Sequence, residues 1–157
     1  MSDTYLTFTL AGETYAVEVN QVKEVLEYTP VTKVPRTLEF MKGVINLRGS
    51  VVPVVDLRLK FGMEEAEATV DTSIIVMEVT MEEESVVIGA IADSVEEVVT
   101  LTPDQIEPSP QIGTQINKRF VRGIGKQEER FIIILDIDTL FSEEEISAAA
   151  DHSREGS

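Results

Sequence analysis

The sequence predicts an all-β protein made of two similar five-stranded barrel lobes with short connecting helices. Val, Ile and Thr dominate the apolar segments, which run five to eight residues before Gly, Pro, Asn or acidic residues interrupt them. Two blocks of sequence recur in the same order, as duplicated units do. Five short strands that close on themselves hide their edges, so a small barrel suits such runs.

In the first block, "QVKEVLEYTPVTKVP" from residue 21 matches "SVEEVVTLTPDQIEP" from residue 94. Val22, Glu24, Val25, Thr29, Pro30 and Pro35 return 73 positions later as Val95, Glu97, Val98, Thr102, Pro103 and Pro108. In the second, "FMKGVINLRGSVVPVVDLRLKF" from residue 40 matches "FVRGIGKQEERFIIILDIDTLF" from residue 120. Phe40, Gly43, Asp56 and Phe61 return 80 positions later as Phe120, Gly123, Asp136 and Phe141. The change of offset puts seven extra residues in the second copy, within the turn-rich "SPQIGTQIN" at 109–117.

Taken in order, the strands of the first copy fall near 4–10, 14–19, 22–28, 43–48 and 51–56. Those of the second fall near 72–79, 85–92, 95–101, 121–125 and 130–136. "AGE" joins one hairpin and "TMEEE" another. Short helical turns follow at "DLRLKFG" and "DIDTLF", each opening on an Asp suited to capping. The lobes are expected to span about 4–67 and 70–142 within one domain of residues 1–142. Residues 143–157 read as an acidic, flexible tail.

Composition bounds the function. A chain of 157 residues, 43% hydrophobic, buries a core without staples. It has no cysteine, which excludes disulfides, thiolate metal sites and cysteine nucleophiles. The net charge of −16, from 29 acids against 13 bases, repels phosphate backbones and anionic lipid, so no nucleic-acid partner and no membrane insertion are expected. The start "MSDTYLTFTL" lacks the features of a signal peptide, and no apolar run approaches the roughly 20 residues of a membrane span, so the expected address is the cytoplasm.

Few residues carry chemistry. The one histidine, His152, lies in the tail, where no ordered pocket would serve a base. The acidic runs Glu82–Glu84 and Glu143–Glu145 point in successive directions and do not converge on a metal. No phosphate loop or calcium loop is present. No catalytic residue, metal or cofactor is therefore expected, and a binding module remains. The enzyme alternative is a small barrel that uses Asp56 and Asp136 as a carboxylate pair, which requires them to share one pocket.

Two residues break the local pattern. Arg48 sits amid uncharged residues, and its repeat counterpart is Glu128, so the barrel frame itself is not expected to need a cation there. It serves either a partner or an internal ion pair. Pro53 interrupts "VVPVVDL", a strand otherwise, and proline belongs at an edge or a bulge.

"GVINLRGSVVPVVDLRLKFG" is similar to the central motif of CheW-type chemotaxis coupling proteins. "YLTFTLAGETYAVEVNQVKEVLEY", "GAIADSVEEVVTLTPDQIEPSP" and "RFVRGIGKQEERFIIILDIDTLF" resemble the same family, so the likeness covers about residues 4–142. The resemblance implies two SH3-like barrel subdomains in a CheW-like fold. It implies a cytoplasmic, non-catalytic scaffold that links transmembrane chemoreceptors to the histidine kinase CheA, docking on the kinase's regulatory domain, in arrays at the inner face of the membrane. An alternative is a similar adaptor in a non-flagellar receptor–kinase pathway. Carried over by motif, receptor binding falls to Arg48 and Asn46 of "NLRG" and to Glu24 of the V-x-E-V segment. The helical receptor tip is expected in a groove between the lobes, with Arg48 on its wall. Kinase docking through apolar barrel-end side chains is assigned to Val51, Val52, Pro53 and Val54.

Overall fold

The computed structural model describes residues 3–33, 41–64, 66–81, 84–107, 120–128 and 130–140. The expected insertion at 109–117, the acidic tail at 143–157 and His152 lie outside the described residues. The first half of the chain folds as β1 (Asp3–Leu10), β2 (Glu13–Glu18), β3 (Val22–Glu27), β4 (Met41–Leu47), β5 (Ser50–Asp56) and the short helix α1 (Leu57–Lys60). The second folds as β6 (Ser73–Met81), β7 (Glu84–Ala92), β8 (Ser94–Leu101), β9 (Ile106–Glu107), β10 (Val121–Gln127), β11 (Arg130–Leu135) and α2 (Ile137–Leu140). All ten expected strands are present within two residues at each end, and only the two-residue β9 was not anticipated.

The strands form two sheets, in the orders β8-β1-β2-β11-β10-β9 (sheet A) and β3-β6-β7-β5-β4 (sheet B). Replacing β1, β2, β3, β4 and β5 by β6, β7, β8, β10 and β11, and the reverse, turns one order into the other, apart from β9. The duplication is thus written in the topology. The lobes are not the consecutive segments 4–67 and 70–142, however. Each sheet takes one hairpin from one half of the chain and the rest of its strands from the other: β3, β4 and β5 in sheet B, and β8, β10, β11 and the short β9 in sheet A. The repeat says which strands are equivalent, and pairing chooses the partner from the opposite copy.

Each sheet also curls until its edges meet. Just past β3, Thr32 bridges Val44 of β4, with N···O distances of 2.9 and 2.8 Å. Just past β8, β9 pairs with β10. The repeated glycines sit at these closures. A Cβ on Gly43, whose φ is +145°, would lie 1.9 Å from the Thr32 carbonyl oxygen. One on Gly123 would lie 2.8 Å from the Glu107 carbonyl oxygen. Both glycines also follow matching register shifts, between Met41 and Gly43 and between Val121 and Gly123.

Pro53 is neither at an edge nor at a bulge. β5 lies between β7 and β4, and Pro53 pairs with Val44. Val44 uses both its N–H and its C=O on Thr32, so Val44 and Pro53 exchange no hydrogen bond, and the missing proline N–H faces away from β4. On that side the ladder to β7 begins only at Val54.

Among the described residues, three apolar clusters hold the fold together. Tyr5, Ala16, Val99, Leu101, Ile132 and Ile134 fill the interior of sheet A. Ile45, Val52, Val54, Ile74, Val76 and Ile91 fill that of sheet B. The largest cluster joins the outer faces of the two sheets, from Leu6, Phe8 and Val17 to Val55, Ile75 and Ile88. A column of rings runs through it, Phe8–Tyr15–Phe61–Phe120, at centroid spacings of 6.1, 6.0 and 6.4 Å. Burial, with Glu13 nearby, pushes the Tyr15 phenol up to about 12.

Candidate functional site

Arg48 lies at the tip of the β4–β5 hairpin, not inside a strand. Arg48 and Gly49 have φ of 51° and 88°, the left-handed pair that a two-residue hairpin turn requires. Asn46 holds this turn, its Oδ1 accepting from the Gly49 N–H at 2.8 Å. The guanidinium grips Glu24 with both terminal nitrogens, Nη1 to Oε1 at 3.3 Å and Nη2 to Oε2. Glu24 reaches this position from the register shift in β3, where it follows Val22 in the pairing with β6. The Arg48 side chain is nonetheless 70% exposed, against 27% for Glu24. The structure therefore gathers Arg48, Glu24 and Asn46 at one corner of sheet B, as an exposed cation oriented by a half-buried carboxylate and a braced turn. Arg48's ion-pair partner lies on its own sheet, and the sheets meet through the shared apolar cluster, so neither contact puts Arg48 on the wall of a cleft between lobes.

The four apolar candidates separate. Val51 is 56% exposed, next to the tip. Val52 and Val54 point into the interior of sheet B, and Pro53 is buried as well. A central strand covered on both faces explains this, since a continuous apolar run then has no free side. Of the set, Val51 alone can meet a partner without the sheet opening.

The two aspartates of the carboxylate-pair reading are apart in function. Asp56 ends β5 in sheet B and caps α1, its Oδ1 accepting from the Arg58 N–H at 2.9 Å. Lys42 Nζ is 3.9 Å from its other oxygen. Asp136 follows β11 in sheet A, and its carbonyl accepts from Leu140 N–H at 3.0 Å at the start of α2. Arg122 Nη2 is 3.7 Å from its Oδ1. Each aspartate has its own cation at the same repeat position, 80 residues apart, so the pair serves two strand-to-helix junctions rather than one pocket. The Lys42–Arg122 correspondence was visible in "FMKG" and "FVRG".

A second polar cluster escaped sequence reasoning. Arg58 Nε and Nη2 donate to Asp93 Oδ1 and Oδ2 at 2.8 and 2.5 Å. Asp93 Oδ2 also accepts from the Ala11 N–H at 2.8 Å, tying the β7–β8 junction to the β1–β2 turn. Burial alone would raise the Asp93 carboxyl, but the Arg58 and Ala11 hydrogen bonds hold it below the usual carboxylate range. With Lys42, Asp56, Tyr28 and Thr72, these side chains line an open cavity of about 220 Å³. Lys42 and Arg58 there already pair with Asp56 and Asp93 within the cluster. Among the described residues no group of three or more His, Cys, Asp or Glu side chains is placed to hold a metal ion. No helix of the described residues is long and apolar enough to cross a membrane.

Comparison with known proteins matches this geometry to one family. Residues 4–145 match the CheW-like domain. The chain is 36% identical over 143 residues to the chemotaxis protein CheW of Klebsiella aerogenes, covering 91% of this chain and 84% of that one. It is 33% identical over 144 residues to the chemotaxis protein CheW of Bacillus subtilis, covering 92% and 90%. Its fold superposes on the crystal structure of the scaffolding protein TtCheW from Thermoanaerobacter tengcongensis with a TM-score of 0.81 and 36% identity, covering 92% and 91%. With its two intertwined sheets and its match over nearly the whole length, the chain belongs to the CheW-like domain family of chemotaxis proteins.

Proposed function

We propose that the chain is a non-catalytic cytoplasmic adaptor that couples the helical tips of chemoreceptors to a CheA-type histidine kinase, within arrays at the inner face of the membrane. The observation that carries this reading is the β4–β5 tip. An arginine held in a left-handed turn, 70% exposed and steered by Glu24, offers a rigid planar fork to a carboxylate or carbonyl of a partner helix. Val51 beside it supplies exposed apolar area, and the kinase's own barrel domain is assigned to that end of sheet B. The net charge of −16 makes such a cation stand out, since it is one of only 13 basic residues on the whole chain.

Titration of the Arg48→Glu protein against a receptor cytoplasmic fragment and against a kinase regulatory domain tests both assignments. Receptor affinity should fall by roughly 2–5 kcal/mol, the cost of leaving a desolvated partner group unpaired. Kinase affinity should change little, whereas Val51→Glu should weaken kinase binding and spare the receptor. Unchanged receptor affinity for Arg48→Glu would remove the receptor assignment.

A further inference from the structure

We propose that the chain can trade halves with a second copy of itself, giving a strand-exchanged dimer in which every ladder of the monomer is kept. Among the described residues, within one half lie only the hairpins β1–β2, β4–β5, β6–β7 and β10–β11, the short β9–β10 ladder and the Thr32–Val44 bridge. The remaining ladders, β1–β8, β2–β11, β3–β6 and β5–β7, all cross between the halves. The largest apolar cluster crosses as well, with Phe8, Tyr15 and Phe61 from the first half against Ile75, Ile88 and Phe120 from the second. A half separated from its partner therefore presents the unpaired edges of β1, β2, β3 and β5, whose partners β8, β11, β6 and β7 all lie in the other half. The other half of a second copy is chemically the same surface as the chain's own.

The covalent link between the halves is the segment after α1. Of its described residues from 62 to 71, all but Met63 are exposed, and none lies in a strand or helix. It folds back on the first half. Met63 N–H donates to Arg58 O at 2.7 Å, Arg58 Nη1 donates to Glu64 O at 3.2 Å, and Ala66, Glu67 and Ala68 line the same cavity as Arg58 and Thr72. These few link contacts are what exchange gives up. What favours the monomer is chiefly the short tether, which acts as an effective concentration on the order of millimolar. Removing the folded-back residues makes the intrachain route harder and leaves the interchain route untouched.

The test refolds the full-length chain at micromolar and at about millimolar concentration, and a shortened chain lacking residues 66–70, followed by size-exclusion chromatography with light scattering. The dimer fraction should rise with concentration during refolding, and by about tenfold on shortening if the tether is what suppresses it. The dimer should persist on native dilution and revert to monomer only after unfolding and refolding in dilute solution. A paired cysteine variant identifies exchange. Thr4 faces Thr100 across the β1–β8 ladder, both are exposed, and the chain has no other cysteine. Oxidised Thr4→Cys/Thr100→Cys protein from the dimer fraction should run as a covalent dimer on a non-reducing gel. A Thr9→Cys/Thr14→Cys control, within the β1–β2 hairpin, should run as a monomer. Intrachain Thr4–Thr100 disulfides in the dimer fraction would show ordinary surface association and overturn the proposal. So would a full-length chain that refolds as monomer at every concentration.

Discussion

The same strap closes both lobes, but its charges are exposed the opposite way round. In sheet B an arginine from the hairpin tip, 70% exposed, reaches a glutamate of β3 that is 27% exposed. In sheet A the tip residue is Glu128, and the arginine stands two positions on, at Arg130 in β11. Arg130 is 34% exposed and donates to Glu97, the repeat counterpart of Glu24, at 2.7 Å, with Glu97 59% exposed. The frame uses an arginine–glutamate strap in each lobe, but not from the same repeat position, since position 128 carries no cation. What differs is where the cation is carried. On the strand it is a half-buried structural partner, and on the turn it is offered to solvent. The left-handed tip is retained in both, with φ of 51° at Arg48 and 56° at Glu128, so the duplicated backbone is constant and the charge on it is what diverged.

The largest difference between the lobes should appear at the closing glycines. Gly43→Ala puts a methyl group 1.9 Å from a backbone oxygen at a positive φ that side chains rarely adopt. Strain and overpacking together should cost roughly 3 kcal/mol or more. Gly123→Ala meets the Glu107 oxygen at 2.8 Å and Ile106 Cγ2 at 2.9 Å, a less severe overlap, without the positive φ, and against a strand of only two residues. Its cost should be about 1–3 kcal/mol. Urea melts of the two variants check the ranking, and equal costs would mean that the two closures are equally tight.

Much of this architecture is legible in the sequence. The punctuated Val and Ile runs located ten strands, and the repeated Gly and Asp marked the two closures and the two strand-to-helix junctions. The exchange of hairpins was not legible, because identical offsets are produced whether a strand pairs within its copy or with the other. Arg48 read as a strand residue because arginine is uncommon where φ is positive. The Gly49 that follows was the available sign of a turn. Val52, Pro53 and Val54 were assigned to a surface because an apolar run does not reveal that its strand is central, and only the pairing of β5 with both β7 and β4 does so. The Arg58–Asp93 contact joins residues 35 apart with no repeat counterpart of the same charge, since position 138 is Asp and position 20 is Asn.

That last asymmetry sharpens the comparison at intermediate size. Asp93 closes its junction with a paired cation, whereas Asp138 closes the equivalent place by accepting from Thr80 N–H at 3.0 Å and Gln21 Nε2 at 3.2 Å. Asp93→Asn leaves a half-buried guanidinium short of its charge and should cost about 1–3 kcal/mol. Asp138→Asn, at an exposed side chain, should cost under about 1 kcal/mol. The pH dependence follows from the depressed Asp93 carboxyl. The unfolded chain takes up this proton first as pH falls, so the contribution is complete above the ordinary carboxylate range. It is lost as pH drops through and below that range, towards the folded value. Melting curves between pH 7 and pH 3 should show the wild-type and Asp93→Asn proteins converging on the acid side. Parallel curves would show that Asp93 holds the junction through shape and not charge.

The smallest effect tests the straps themselves. An ion pair as exposed as Arg48–Glu24 should be worth about 0.2–1 kcal/mol and should weaken in salt. Arg130, half-buried and shared between Glu97 and Glu96 (3.7 Å), should couple more strongly, by up to about 1 kcal/mol, and with less salt dependence. Double-mutant cycles on Arg48/Glu24 and Arg130/Glu97, each replaced by glutamine, at low and high salt, separate the two. If the Arg48 cycle proves the larger and survives salt, the tip arginine is a structural fastener and its exposure is incidental. If it proves the smaller, Arg48→Gln should lower the melting temperature less than Arg130→Gln. Receptor binding should then suffer in the reverse order, because the lobe that spends least stability on its arginine is the one with a cation free to exchange an internal carboxylate for a partner's.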